Sequence, residues 1–437
     1  MSVIAVVGAQ WGDEGKGRVV DYLADQADLV IRYGGGNNAG HTVVNPHGQF
    51  KLHLIPSGIF YPGTRNLLGN GVVINPPALV GELDGLEKAG FDASNLFVSD
   101  RAHLVMPYHV LLDQLDERER GASKIGTTSR GIGPAYVDKV ARRGIRVVDL
   151  MEPRAFRERL EKTLTRTRRL VETYPDPDGE MADAIREATD ADVIAETYLA
   201  AAVRLRPHVV DGQAMVDAAL EAGDRILLEG QLGTMRDIDW GIYPYVTSSS
   251  PIPGGASIGA GLPAVRIDQV LGVVKAYTTA VGAGPLPTEL DDADGERLRD
   301  RGAEYGTSTG RARRCGWYDA VAVRFSVRLA GYSAIALTKL DVLDGFERIR
   351  IATAYRDPVD GTEWTTVPAS TSVYERLEPV YEDLPGWQTD TTGCRSWDEL
   401  PAAARAYVER LEALAGVPVT YVSVGAERAQ MIVRSTH

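Results

Sequence analysis

The chain has 437 residues, 44% of them hydrophobic and 24% charged, a globular composition long enough for one large core or two smaller ones. A formal net charge of -13 argues against a general nucleic-acid or anionic-membrane binder and leaves room only for local basic patches that hold phosphates. Two cysteines, Cys315 and Cys394, are too few for a disulfide framework and too far apart for a metal pair, which fits a reducing cytoplasm, and no apolar run suggests an export signal or a membrane span.

Consecutive apolar residues at 3–7, 29–32, 67–68, 225–228, 270–274 and 334–337 read as short strands buried on both faces, the pattern of a parallel sheet. Between them, apolar residues spaced three or four apart predict helices over 77–89, 106–119 and 401–414, each with Pro or Asn near its start. Residues 151–222 are rich in Arg, Glu and Ala and read as a mainly helical insertion packed on the sheet. The ordering predicts an α/β fold, a large and mostly parallel central sheet flanked by helices, in one continuous domain.

The first strand runs into Gly8-Ala9-Gln10-Trp11-Gly12-Asp13-Glu14-Gly15-Lys16-Gly17 and then into a helix-compatible stretch. Strand, glycine loop, lysine and helix aim backbone N–H groups and a helix N-terminus at phosphate oxygens, a P-loop-like layout. Yet Gln10 stands where the first glycine of a standard P-loop belongs, and Gly17 replaces the hydroxyl residue that would hold Mg²⁺. Asp13 is the natural substitute, since Mg²⁺ takes one or two carboxylates together with phosphate oxygens. Such a loop alone can be no more than a tight turn; Asp-Glu-Gly-Lys-Gly followed by a second glycine loop is more specific.

That second loop follows the strand at 29–32 and reads Gly34-Gly35-Gly36-Asn37-Asn38-Ala39-Gly40-His41-Thr42. Adjacent glycines cost about 1 kcal/mol each in backbone entropy relative to alanine, so they imply a close backbone approach. His41 is a candidate acid or hydrogen-bond donor toward a phosphoryl group, and Asn38 a neutral donor. A loop histidine is usually incidental, but two glycine loops at C-terminal strand ends reverse that expectation, because ligands collect on that edge of an open α/β sheet.

Residues 10–17 and 38–42 resemble the two signatures of the adenylosuccinate synthetase family, and the resemblance runs along almost the whole chain. It implies a GTP-dependent, GDP-forming ligase of cytoplasmic purine biosynthesis that joins L-aspartate to IMP, with Mg²⁺. By this resemblance Asp13 is the base, His41 the donor to the transferring group and Lys16 a balance for phosphate charge. Gly12, Asp13, Glu14, Gly15, Lys16, Gly17, Gly40, His41 and Thr42 would hold GTP, with Asp13 and Gly40 on the metal. Residues 126–144 resemble the segment that grips the nucleotide 5′-phosphate. Thr128 would serve its own site and Arg142 that of a partner subunit, which implies a homodimer.

Residues 237–249 resemble the next block, in which Thr247 meets the same phosphate; Asn38, Leu232 and Arg311 complete the implied nucleotide set. Residues 306–317 resemble a loop that closes over aspartate. A dicarboxylate needs guanidinium forks and hydroxyl donors, which Thr307, Ser308, Thr309, Arg311 and Arg313 supply, with Arg313 also on the GTP side. Thr338-Lys339-Leu340-Asp341 resembles a guanine-reading motif, in which one carboxylate accepts from N1–H and the 2-amino group, a pair adenine lacks. Ser423 and Gly425 match the family's closing contact to the base.

The chain also departs from the family. Gly34 stands where glutamine is usual, Leu232 where an amide meets the purine, Arg236 where leucine is usual and Ala280 where arginine is usual; Ser129 and Ala312 replace glycine and a basic residue. A local swap of Gln231 with Leu232 would make this neutral. A remodelled base pocket would instead move the same chemistry to a purine-analogue nucleoside monophosphate. A third reading, a non-catalytic GTP-binding regulator, has no use for Asp13, His41 or the arginine loop.

Overall fold

The computed structural model describes residues 2–45, 48–176, 179–306 and 310–434. Ten strands form the central sheet: β1 (Ser2–Gly8), β2 (Leu29–Arg32), β3 (Arg65–Leu68), β4 (Leu96–Ser99), β5 (Val209–Val210), β6 (Arg225–Gly233), β7 (Gln269–Lys275), β8 (Ala334–Thr338), β9 (Val419–Ser423) and β10 (Met431–Val433). They lie in the order β10-β9-β8-β7-β1-β6-β2-β3-β4-β5, and every neighbouring pair is parallel except β9 with the terminal β10.

The continuous apolar runs in the sequence follow from burial on both faces. Val3, Ala5 and Val7 of β1 turn toward one core, while Val6 turns to the other, where it meets Val19 and Val20 of α1 (Lys16–Ala24). The three expected helices form at Pro76–Lys88, Pro107–Arg120 and Ala402–Ala415. Pro76–Lys88 starts where predicted because Asn75 accepts a hydrogen bond from Ala78 N at the cap.

Within 151–222, helix Pro153–Val171 buries Phe156, Leu160 and Leu164 at four-residue spacing against Ile194 and Tyr198 of helix Ala191–Leu205. The end of this segment rejoins the sheet, since β5 pairs with β4 and helix Gly212–Ala222 leads into β6. A two-residue edge strand is too short to leave a periodic trace. The sequence reading also omitted a second sheet of Tyr318–Asp319, Arg348–Arg356, Glu363–Trp364 and Glu378–Pro385. Arg348–Arg356 alternates polar and apolar residues, the pattern of a sheet buried on one face.

Candidate active site

The two glycine loops leave the C-terminal ends of β1 and β2, which flank β6 in the sheet, and both loops line the same two cavities. Gly15 ends the first loop at φ 86°, and α1 begins at Lys16. Inside that loop Glu14 is fully buried and accepts hydrogen bonds from the amides of Gln10 and Gly12 at 3.0 and 2.9 Å. It also pairs with the Lys16 ammonium. The Glu14 side chain therefore shapes the loop and steadies Lys16, and it lines neither cavity described below. Asp13, held at φ 58°, is one-third exposed, and its carboxylate lies 2.9 Å from Arg313 Nε as an ion pair without hydrogen-bond alignment.

A cavity of about 740 Å³ opens beside this loop. It gathers most of the expected GTP set: Asp13, Gly15, Lys16, Gly17 and Gly40 at one end, Lys339, Asp341, Ser423 and Gly425 at the other, with Arg313 alongside. Asp341 Oδ1 is buried and has no hydrogen-bond partner among the described residues. Burial raises this carboxyl above its ordinary value, and nearby Asp344 adds to the rise. An unsatisfied buried carboxylate oxygen is costly, so a donor from a ligand is the natural complement.

Behind the cavity, Glu304 is fully buried and binds Lys275 at 2.8 Å, Arg313 at 2.6 Å and Lys339 at 2.9 Å. Tyr277 donates its hydroxyl to the same carboxylate. Burial alone would raise Glu304, but the three cations outweigh it and hold it well below the usual carboxylate range. Burial lowers Lys275 to about 8 against the pull of Glu304. The sequence reading missed this hub, because its partners come from separate strands and loops with no shared motif.

A second cavity, of about 670 Å³, shares Asp13, Gly40 and Leu232 with the first and adds Asn38, Thr128, Thr247 and Arg236. Arg236 is buried, donates to the carbonyls of Tyr245 and, at 2.7 Å, Val281, and is lowered to about 10 by burial. It thus ties the Thr247 loop to the loop carrying Val281 and Ala283.

Of the remaining expected residues, Arg142 is exposed and lines neither cavity, and Arg311 lies at the rim, its guanidinium about 4.0 Å from where a side chain on Gly126 would stand. His41 and Thr42 open the strand His41–Asn45, and their side chains lie outside the described residues, as do Thr307, Ser308 and Thr309.

Backbone strain gathers here. Among the described residues, the non-glycine positions at positive φ are Asp13, Ser129, Arg142, Leu232, Ala303 and Lys339, and four of these six belong to the expected site. Each such residue costs of order 1–3 kcal/mol and persists only where its surroundings hold it, which is typical of functional loops.

The donor set suits magnesium. Asp13 and Gly40 line both cavities, so a carboxylate and a backbone carbonyl are at hand where the two meet. Magnesium takes one or two carboxylates together with phosphate oxygens, a demand that this pair can meet.

Residues 5–432 match the family model described as adenylosuccinate synthetase. The adenylosuccinate synthetase of Moorella thermoacetica is 53% identical over 433 residues, covering 99% of each chain. The solved, fully ligated adenylosuccinate synthetase of Plasmodium falciparum superposes with a TM-score of 0.92 at 36% identity, covering 100% of both chains. A cyanophage S-2L succinoaminodeoxyadenylate synthetase, 20% identical with a TM-score of 0.62 over 100% of this chain and 96% of that one, shares the fold. The match spans both glycine loops, both cavities and the whole sheet: the chain belongs to the adenylosuccinate synthetase family.

Proposed function

We propose that the chain ligates L-aspartate to the 6-oxo position of IMP at the expense of GTP, giving adenylosuccinate, GDP and phosphate. The observation that carries this reading is the position of Asp13 in the wall between two cavities, one lined by Lys16 and Asp341 and the other by Thr128 and Thr247. A lactam oxygen is a poor leaving group, so it must first be phosphorylated. Asp13 removes the N1 proton of IMP, the 6-oxygen attacks the γ-phosphorus of GTP, and GDP departs. The amine of aspartate then attacks C6, and the 6-phosphoryl group leaves as phosphate. His41 donates to the transferring phosphoryl group.

Lys16 and the loop amides balance the phosphate charge, a preorganised electrostatic contribution worth several kcal/mol in a site closed to water. Asp13 and Gly40 would hold magnesium, which when bound would add charge neutralisation on the phosphates. Thr307, Ser308, Thr309, Arg311 and Arg313 take the aspartate carboxylates. Arg142, exposed and lining neither cavity of its own chain, reaches the nucleotide phosphate of a partner copy in a homodimer. No helix among the described residues is long and apolar enough to cross a membrane, and two free cysteines accord with a cytoplasmic enzyme.

Leu232, an apolar side chain where the family has an amide, lines the nucleotide cavity and favours a second reading, the same ligation on a purine-analogue monophosphate. One experiment separates the two: incubation with GTP, Mg²⁺, aspartate and a panel of 6-oxo nucleotides, with products identified by mass. The succinyl adduct of IMP is expected. An adduct from an analogue but not from IMP would replace the first reading with the second, and no adduct at all would end both.

A further inference from the structure

Gln231 stands one residue before Leu232 on β6; it borders the triphosphate cavity and not the nucleotide one, and its amide lies along the second glycine loop. Its Oε1 accepts the Gly36 amide at 3.0 Å, and its Nε2 donates to the Gly36 carbonyl at 3.1 Å. A backbone amide and carbonyl have fixed donor and acceptor roles, so this pair settles which end of the Gln231 amide is which. The same Nε2 lies 2.9 Å from Asn38 Oδ1, which also accepts from Gly36 N at 3.2 Å. With two donors on its oxygen, Asn38 has its own NH₂ left for the nucleotide cavity that it lines.

The chain is cut to fit this contact. A Cβ on Gly35 would fall 1.1 Å from Gln231 Oε1, whereas one on Gly34 would meet nothing within 4 Å. Gly35 also sits at φ 73°, a conformation glycine adopts without penalty. The bare Gly35 backbone is therefore what admits the glutamine.

We propose that Gln231 is a positioning residue that forces Asn38 to present donors, not an acceptor, to the phosphate of the bound nucleoside monophosphate. The idea rests on the functional reading above for its ligand, IMP. Gln231→Glu makes a sharp test. A carboxylate accepts only, so it would draw the Asn38 NH₂ toward itself and turn Oδ1 to the cavity, an acceptor facing a phosphate. Gln231→Met keeps the length, makes no such demand and leaves Asn38 free to choose.

Calorimetric titration with IMP needs no turnover and gives the primary readout. The expected ranking is a Kd about 10-fold weaker for Gln231→Met and about 100-fold weaker for Gln231→Glu, a step of roughly one lost charge-assisted hydrogen bond between each. In an Asn38→Ala background both effects should vanish, because the residue being oriented is gone. A merely structural role would persist in that background, and that result overturns the inference. If Gln231→Glu does not fold, Gln231→Met with the Asn38→Ala cycle decides in the same way. Wild-type protein that binds IMP but forms no adduct overturns the functional reading and leaves this one standing; protein that does not bind IMP ends both.

Discussion

Arg313 Nε lies 2.9 Å from the Asp13 carboxylate, so the group assigned to take the ring proton is already held by a cation that belongs to the arginine loop. The other end of the guanidinium meets Glu304 at 2.6 Å, which links the Asp13 carboxylate to the buried hub behind the first cavity.

Arg313→Leu should therefore cost catalysis more than stability. Loss of one charge-assisted contact is worth about 1.5–3 kcal/mol, or roughly 10- to 100-fold in kcat/KM. Arg313→Lys should recover only part of this, since an ammonium cannot span two carboxylates as a planar fork does. Steady-state kinetics for aspartate and GTP provide the check; unchanged constants in Arg313→Leu would remove it from the site.

Asp341→Asn exchanges a carboxylate acceptor for an amide that also donates. Guanine's N1–H and 2-amino pair then loses an acceptor, while the 2-oxo group of xanthine gains a donor. KM for GTP should rise about 10- to 100-fold and KM for XTP should fall, the usual scale for a mismatched buried polar contact. Equal loss toward both triphosphates would contradict the assignment of Asp341 to the base.

Glu304→Gln would leave Lys275, 1% exposed at its side chain, beside a neutral amide. Removing one partner of a buried charge cluster costs about 3–5 kcal/mol, and a drop in the denaturant midpoint measures it. Lys275, already lowered to about 8 by burial with Glu304 as its main support, should lose its proton more readily still, so the variant's stability deficit should shrink as the pH rises toward 9.

Asp319 gives stability a pH dependence of known sign. Burial raises its carboxyl to about 6 from 3.8, despite hydrogen bonds from Ala322 N at 2.9 Å and Tyr355 at 2.7 Å. The folded chain thus holds a proton that the unfolded chain has released between pH 4 and 6. Its contribution is greatest below pH 4, falls through that window and stays flat above, by about 3 kcal/mol for two pKa units. Asp21, likewise raised to about 6 by burial, acts in the same direction. The histidines His53, His103 and His109, all lowered by burial, act oppositely, so the quantity to measure is the difference between wild type and Asp319→Asn in urea midpoints from pH 4 to 7. A constant difference would mean that Asp319 titrates normally.

Long-range and local order differed in how well the sequence announced them. The central strands were legible because burial on both faces writes an unbroken apolar run, as at 3–7 and 270–274, and the glycine loops because phosphate binding needs bare backbone. Asp13, Lys16 and Asp341 came with motifs. Glu304 did not: an isolated glutamate between Ala303 and Tyr305 says nothing until the segments carrying Lys275 and Tyr277, Arg313, and Lys339 converge on it. Gln231 was visible as a departure, but its partner Gly36 is 195 residues away, and only the folded register of β6 beside β2 brings the two together. Arg236 likewise looked like a change to the base pocket, whereas its contacts are with backbone carbonyls.

Asp13, Ala39, Gly40, Leu232 and Gly306 border both cavities, so a single layer of residues serves neighbouring occupants on its two sides. One molecule carrying a guanosine at one end and a purine monophosphate at the other, joined by a bridge the length of a phosphate or two, would have both halves seated by a single encounter. The second half would then bind at the millimolar effective concentration typical of short tethers, and such a compound would hold the enzyme far more firmly than either half alone.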